Sequence, residues 1–114
     1  MSDIADLDPE DQKLVTLARA SRARNSAHEG AAVRDETGRT YVATTVVLPS
    51  LRLSALQAAA AAAVSSAAES LEAAAVVTQA GELTEADAAV AGDLKTATVV
   101  LAAPDGTPTT IRKP

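Results

Sequence analysis

Few side chains in this sequence have the types and spacing that favour catalysis. Ser54, His28 and Asp87 are a serine, the only histidine and an aspartate, which are the residue types of a hydrolytic triad. Ser54 stands in LRLSALQ, so no Gly-x-Ser-x-Gly nucleophile elbow surrounds it. Because serine, histidine and aspartate occur together in most chains, we favour a structural role for each over a hydrolase.

Metal and phosphate chemistry also have little support. The chain has no cysteine, which excludes disulfides, thiolate catalysis and cysteine zinc sites. His28 would need further good ligands, and the carboxylates near it are scattered, so we predict no metal and no cofactor. The glycines form no phosphate-binding loop. The acidic stretch DLDPED lacks the spacing of a calcium loop, and we interpret it as the start of a helix.

The net charge argues against one class of partner. Ten basic residues against fifteen acidic ones give a formal charge of −5, whereas binding to a phosphate backbone needs a basic field. We therefore expect no nucleic acid partner. Arginines could still form a local basic patch, although a solvated face is the favoured interpretation. These arginines are Arg19, Arg22, Arg24, Arg34, Arg39 and Arg52.

The apolar residues are unusually small. Alanine dominates them, Tyr41 is the only aromatic residue, and Phe and Trp are absent. Each buried methylene contributes only about 0.8 kcal/mol, so the alanine-rich core of a small domain is marginal unless association extends it. We therefore expect a homo-oligomer, either a dimer or a tetramer, and a further protein partner is an open alternative.

Neither the alanine run nor the N-terminal segment has the features of a membrane or export signal. The run in RLSALQAAAAAAV, residues 52–64, is too short and too weakly apolar to span a bilayer. The acidic segment MSDIADLDPED lacks the apolar region of a signal peptide. We expect a cytoplasmic protein without a membrane partner, folded as one domain over residues 1–114 with residues 1–7 as a tail.

The first predicted helix begins at DPED. Asp8 suits the N-cap and Pro9 the first helical position. Glu10 and Asp11 suit the first turn, where the helix dipole favours negative charge. The spacing then predicts that Leu14, Leu17, Ala18 and Ser21 share one face.

Two further helices have clear start signals. Ser54 and Gln57 form a Ser-x-x-Gln capping box, and the helix that follows is expected to end near Ser66 or Ala68. Residues 55–68 carry no charge, which is typical of a helix buried all round. We expect this helix to pack under a sheet and also against another subunit.

The third predicted helix lies in LTEADAAVAGDL. Thr84 is its expected N-cap, with Glu85 and Asp87 in its first turn. Gly92 is expected to end it, because helices commonly stop at a glycine.

The remaining segments predict strands. GAAVRDETGRTYVATTVV has the pattern of a hairpin with Gly38 in its turn, and PSLRLS is predicted to be a loop. LEAAAVVTQ is a strand with both faces covered, and TATVVLAAPDGTPTTIRKP predicts a strand, a turn and a final strand. The order α-β-β-α-β-α-β-β indicates a three-layer α/β/α sandwich with a five-stranded mixed sheet.

This order of elements and the hairpin sequence GAAVRDETGRTYVATTVV resemble the small cytidine deaminases over nearly the whole chain. The hairpin of that family has the form V-G-A-A-[apolar]-x-x-D-G-x-x-Y-x-G-x-N-x-E. AAAVVT is similar to its third strand and ATVVLAAPDGTPTTI to its closing hairpin. The resemblance implies the same fold, and an oligomer, often a tetramer, built around the central helices.

The resemblance also implies where a site would lie. In the family, a His or Cys at the start of the second helix and a Cys-x-x-Cys at the start of the third hold zinc. The zinc activates a water for attack on cytosine C4, and a glutamate two residues past the first ligand moves protons. This chain has Ser54 and Leu56 at the first ligand and the glutamate, and Ala86 and Ala89 in place of the cysteines.

Two further motifs of the family are altered. The Asn-x-Glu pair that holds the ribose corresponds to residues 45–47, Thr-Val-Val, and the Asn-Phe before the hairpin corresponds to residues 26–27, Ser-Ala. The resemblance therefore predicts a remnant pocket without metal or proton-transfer groups. Its residues would be Ser26, Thr45, Val47, Ser54, Leu56, Ala86 and Ala89.

Three functions remain open from the sequence. We favour a catalytically inactive cytidine deaminase homologue that acts as a binding or assembly module. The alternative is a nucleoside or nucleotide sensor in which Thr45, Ser54 and His28 supply polar contacts, although a surface or edge position is the favoured interpretation of His28. The least supported alternative is an active cytidine deaminase, which would need a partner chain that brings its own zinc.

Overall fold

The computed structural model describes residues 7–112. Its elements, in chain order, are α1 (Pro9–Asn25), β1 (Gly30–Asp35), β2 (Thr40–Thr44), β3 (Val46–Leu48), β4 (Leu51–Leu53), α2 (Ala55–Ser65), β5 (Leu71–Val77), α3 (Glu85–Asp93), β6 (Thr98–Ala102) and β7 (Pro108–Arg112). Five strands form the main sheet in the order β2-β1-β5-β6-β7. The predicted five-stranded mixed sheet between helices is confirmed.

Among the described residues, only one pair of strands in the main sheet is parallel. β5 pairs with β6 in parallel, and the connection between them carries α3. The other neighbours are antiparallel, and the pairs β1–β2 and β6–β7 are hairpins whose turns contain Gly38 and Gly106 at positive φ. The two turn glycines and both hairpins agree with the sequence pattern.

The core has two parts, one on each face of the sheet. Alternate residues of β5 point to opposite faces: Ala73, Ala75 and Val77 pack in the α1 layer, and Ala74 and Val76 pack in the α2 layer. This is the arrangement that the continuous apolar run of β5 predicts.

The first helix packs very closely on β1. A Cβ placed on Gly30 would lie 2.1 Å from the carbonyl oxygen of Ala18. Only glycine permits this approach, because any side chain would displace α1 from the sheet. Gly30 therefore permits the close approach of α1 to β1.

One predicted residue is missing from the buried face of α1, and two others belong to it. Leu17 is 40% exposed, whereas Val15 is buried beside Leu14 and Ala18. The buried face also includes Asp11, which accepts a hydrogen bond from Arg34 Nη2 at 2.9 Å. This ion pair joins α1 to β1, and the apolar periodicity alone does not reveal it.

The segment predicted as a loop after the first hairpin is itself paired. β4 runs antiparallel to β3 through the turn at Pro49 and Ser50, with Val47 opposite Arg52, and forms a separate two-stranded sheet. The loop prediction for PSLRLS is therefore wrong. A short two-stranded hairpin has little stability of its own, so packing contacts must support it.

The helices are followed by non-glycine residues in the left-handed conformation, which are Ser26 after α1, Ala67 after α2 and Lys95 after α3. The φ of Lys95 is +53, and the N–H of Thr96 next to it donates to the carbonyl of Ala91 at 2.9 Å. The prediction that Gly92 ends the third helix is wrong, because the helix continues to Asp93.

The second helix is covered on one face only within the described chain. Ala55, Leu56, Ala59 and Ala63 are fully buried, whereas its opposite face is exposed to solvent. The expectation of burial all round therefore does not hold within a single chain. Its contact with another subunit stays a prediction.

The ends of the chain fall partly outside the described residues. The predicted tail lies there except for Leu7, which is buried in the α1 layer. The last two residues of the predicted final strand segment, 113–114, also lie outside. Within residues 7–112, no helix is both long enough and apolar enough to cross a membrane.

Candidate functional site

The starts of α2 and α3 meet through a side-chain hydrogen bond. Ser54 is the N-cap of α2, and its Oγ donates to Oδ1 of Asp87 at 2.5 Å. The same Oγ accepts from the backbone N–H of Gln57 at 3.0 Å, and the Gln57 side chain accepts from the N–H of Ser54 at 2.9 Å. The predicted capping box is confirmed, and the serine hydroxyl both donates and accepts.

Asp87 owes its position to the first turn of α3. Thr84 caps this helix by accepting from the N–H of Asp87 at 3.1 Å. Asp87 is only 1% exposed, and this burial raises the pKa of its carboxyl above the usual value, while the hydrogen bond from Ser54 opposes the rise. Burial raises the pKa because removal from water disfavours the charged form.

A second carboxylate lies at the start of α2. Oε1 of Glu29, just before β1, accepts from the N–H of Ala55 at 3.4 Å. The backbone N–H of Glu29 donates to Oγ1 of Thr45 at 3.1 Å, and the N–H of Thr45 donates to the carbonyl of Glu29 at 3.3 Å. Glu29 and Thr45 thus join the edge of the first hairpin to the start of α2.

The remnant pocket predicted from the sequence includes neither Asp87 nor Glu29. The sequence does contain a local signal for the position of Asp87. In Thr84-x-x-Asp87 an acidic residue stands three positions after a helix N-cap, which places it in the first turn of the helix. For Glu29 the local sequence holds no signal, since its contact with Ala55 joins positions 26 residues apart.

The predicted remnant pocket is assembled only in part. Thr45 and Ser54 are joined to the α2 start through Glu29 and the helix cap. Leu56 is fully buried in the α2 layer and turns towards the core. The other predicted residues, Ser26, Val47, Ala86 and Ala89, are exposed.

His28 takes no part in a triad with Ser54 and Asp87. It is exposed, and its backbone carbonyl accepts from Nε of Arg22 at 3.1 Å. In a Ser-His-Asp triad the histidine stands between the other two residues. Here Ser54 donates to Asp87 directly, so the arrangement differs from that of a hydrolase.

Among residues 7–112, no group of three or more His, Asp or Glu side chains is placed to hold a metal ion. The most strongly hydrogen-bonded carboxylate lies elsewhere, in the turn between β1 and β2. Asp35 accepts from Oγ1 and N–H of Thr37 and from the N–H of Arg39, and these hydrogen bonds lower its pKa. They stabilise the turn, so we assign Asp35 to the hairpin and not to the site.

The mixed sheet with helices on both faces defines an α/β/α protein in which two helix starts meet. Residues 7–106 match the family model described as cytidine deaminase-like, so the chain belongs to the cytidine deaminase-like family. No curated protein sequence matches it at a significant level.

A solved structure shows the same fold. The cytidine deaminase from Burkholderia pseudomallei superposes with a TM-score of 0.76, over 89% of this chain and 90% of that one. The two sequences are 22% identical. At this identity the match establishes the fold and leaves the activity to be argued from the residues.

Proposed function

We propose that this protein is a catalytically inactive member of the cytidine deaminase-like family that acts as a binding or assembly module. The hydrogen bond between Ser54 and Asp87 carries the proposal. It joins the two helix starts at which the resemblance to cytidine deaminases places the zinc ligands, and it occupies the polar groups found there.

The donor atoms at these helix starts do not fit a zinc ion. Protein zinc sites use thiolates, imidazoles and carboxylates in tetrahedral sets. Ser54 already donates to Asp87 and accepts from Gln57, and the side chains of Ala86 and Ala89 have no donor atom. The two carboxylates at these helix starts, Asp87 and Glu29, do not make up a tetrahedral set. Our proposal therefore includes no step that depends on a metal.

The position that matches the family's proton-transfer glutamate is Leu56. Its side chain has no titratable group and is fully buried in the α2 layer. General acid–base catalysis needs a titratable group within hydrogen-bond reach of the reacting atoms. The proposed loss of catalysis thus rests on the proton path as well as on the metal.

An exposed apolar surface supports the assembly role. It consists of the apolar side chains of the β3–β4 hairpin, which flank the exposed Arg52, and of the outer face of α2, and we call it the apolar surface. Its large residues are Val47, Leu48, Leu51 and Val64, which are 62%, 53%, 48% and 52% exposed. No charged residue lies between Arg52 and Glu69. Exposed apolar patches of this kind mark interaction sites, and we propose a second copy of the chain as the partner, in a dimer or tetramer.

Sedimentation velocity at several concentrations tests the assembly role. We expect the wild type to sediment as a dimer or tetramer and Ala62→Glu to shift it to the monomer, because a charge would be buried in the interface. Ala20→Glu, at an exposed alanine of α1, is the matched control and leaves the oligomer intact. A wild type that is monomeric at every concentration would contradict this role.

Two measurements on the purified protein test the loss of catalysis. Elemental analysis after incubation with zinc gives the metal content, and ultraviolet absorbance follows the conversion of cytidine to uridine. We expect far less than one zinc per chain and no conversion. Stoichiometric zinc or formation of uridine would overturn the proposal.

A second candidate is binding of a nucleoside or nucleotide, favoured by the polar cluster at the start of α2. Glu29 and Thr45 meet there, and Thr45 stands at the position of the family's ribose-binding asparagine. A thermal-shift titration with cytidine and other nucleosides tests it. Saturable stabilisation that Ser54→Leu removes would support a sensor, and a flat titration at millimolar nucleoside would exclude it.

A further inference from the structure

A large cavity lies between α3 and the strands β6 and β7, and neither Ser54 nor Asp87 lines it. Its volume is about 670 Å³, and a neighbouring hollow of about 400 Å³ shares Leu83, Val99 and Arg112 with it. We call the two together the α3–β7 trough. The volume of the larger part falls within the range of about 300–1,000 Å³ that small-molecule sites occupy.

The topology explains why this trough is open. β7 is an edge strand that pairs only with β6 in the main sheet, and α2 packs mainly on β1 and β2. Val99 lies opposite Arg112 in the β6–β7 ladder, and Leu101 lies opposite Thr110. These four residues line the hollow beside α3, so the trough has an apolar floor and a polar edge.

Two cationic residues line the larger part of the trough. Lys95, just after α3, and Arg112, at the end of β7, are both lining residues. Neither forms an ion pair within residues 7–112, although the net charge of the chain is −5. An acidic residue, Glu82, lines the neighbouring hollow. Unpaired cations beside an apolar cavity favour a ligand that combines an anionic group with an apolar body.

A hydroxyl beside the trough lacks a hydrogen-bond partner. Thr96 lines the cavity and is 2% exposed, and its Oγ1 has no hydrogen-bond partner among the described residues. Buried polar atoms nearly always have partners, because leaving one unpaired is costly. Because Oγ1 itself is buried from solvent, it lies behind the surface of the trough, and we do not assign it to the ligand.

We propose that the α3–β7 trough binds a small amphipathic organic anion. The apolar body packs on Leu83, Ala91 and Val99, and the anionic group meets Arg112 and Lys95. A neutral nucleoside would leave both cations unused, and inorganic phosphate would leave the apolar floor uncovered. This binding is independent of the Ser54–Asp87 contact, since neither residue lines the trough.

Fluorescence titration with 8-anilinonaphthalene-1-sulfonate, an apolar ring system with a sulfonate, tests the proposal. We expect one saturable site in the wild type. Arg112→Gln and Lys95→Gln should each weaken binding about tenfold, as expected for loss of a hydrogen bond to a charged group. Arg24→Gln, at an exposed arginine of α1, is the matched control and leaves the affinity unchanged.

A steric variant separates the trough from other apolar surfaces. Gly92 lines the cavity, and a Cβ added there meets nothing within 4 Å, so Gly92→Leu adds a large side chain at the wall of the trough without a clash at Cβ. We expect it to abolish dye binding while the helix is retained, because leucine is a better helix former than glycine. Ala89→Leu, at an exposed position of the same helix, should bind normally.

Four results would overturn the proposal. The first three are the absence of saturable binding, dye binding that Gly92→Leu leaves intact, and dye binding that Ala62→Glu on the apolar surface removes instead. Displacement of the dye by inorganic phosphate as readily as by an amphipathic carboxylate would also overturn it. If Gly92→Leu does not fold, as judged by circular dichroism, the Arg112→Gln and Lys95→Gln affinities decide.

Discussion

Ser54 and Asp87 are the residues that join the two helix starts. The Oγ of Ser54 accepts from the backbone N–H of Gln57 in its own helix at 3.0 Å and donates to the Asp87 carboxylate of α3 at 2.5 Å. The carboxyl group of Asp87 is buried in the first turn of α3. Burial disfavours its ionised form and therefore raises its pKa. The pH dependence of stability should therefore report on this contact.

Asp87→Asn should stabilise the protein increasingly as the pH rises. Because burial raises the pKa of Asp87 above 3.8, the native state binds its proton more tightly than the unfolded state. The contribution of Asp87 to wild-type stability is therefore lost as the pH rises from about 3.8 through the raised pKa. Asparagine cannot ionise, and it still accepts a hydrogen bond from Ser54, so the variant avoids this loss.

Urea unfolding between pH 4 and pH 7 measures this difference. The matched control is Glu69→Gln, which removes a carboxylate at an exposed position outside the helices. A variant whose advantage over the wild type shrinks as the pH rises would show that the native site stabilises the carboxylate.

At the scale of the elements, close packing and helix ends decide stability. α1 lies against β1 with no room for a side chain at Gly30, and α2 and α3 end through Ala67 and Lys95 in the left-handed conformation. Only glycine fits the close approach at Gly30. Ala67 and Lys95 carry the steric penalty of an L side chain at positive φ, which glycine would not have.

Gly30→Ala should destabilise the protein by about 3 kcal/mol, the upper range for overpacking. The added Cβ would lie 2.1 Å from the carbonyl oxygen of Ala18, so α1 must move away from the sheet. Gly81→Ala meets no atom within 4 Å and should change stability little. Chemical denaturation of both variants measures the difference, and equal effects would contradict the close approach.

Ala67→Gly should stabilise the protein by about 1 kcal/mol, because glycine adopts positive φ without the steric penalty of an L side chain. The φ of Ala67 is +75. Ala62→Gly, in the interior of the same helix, should have the opposite sign and cost about 1 kcal/mol. Urea midpoints give both values, and a loss of stability in both variants would be inconsistent with this helix end.

At the scale of the whole molecule, the same small side chains account for the weak core and for the apolar surface. The core is built mostly from alanine and valine, so each buried residue contributes little apolar area. The same composition leaves the outer face of α2 uncharged and exposed. Association through this face would bury further area and stabilise each chain.

The melting temperature should therefore rise with protein concentration. Binding to the native state adds about 2.7 kcal/mol when the partner is at about a hundred times its dissociation constant. Differential scanning calorimetry over a hundredfold range of concentration measures this effect in the wild type. Ala62→Glu should remove the dependence, and Ala20→Glu should preserve it. A wild-type melting temperature that is independent of concentration would contradict a stabilising oligomer.

Local signals in the sequence were enough for most of the fold. Asp8, Ser54 and Thr84 start helices because a side-chain oxygen accepts from a nearby backbone N–H, which depends on three or four neighbouring residues. Gly38 and Gly106 mark turns for a similar local reason. The helix ends were less predictable, because residues such as Ala67 and Lys95 adopt a conformation that their side chains disfavour.

Only the tertiary structure decided what surrounds these elements. Ser54 and Asp87 are 33 residues apart, and Glu29 and Ala55 are 26 residues apart, so each contact exists only once the sheet has brought its helices together. The trough at β7 likewise depends on which strand forms the edge of the sheet. Helix caps and strand patterns depend on interactions between neighbouring residues, so the sequence shows them directly. The sites depend on contacts between residues that are far apart in the sequence, and only the packed structure shows these contacts.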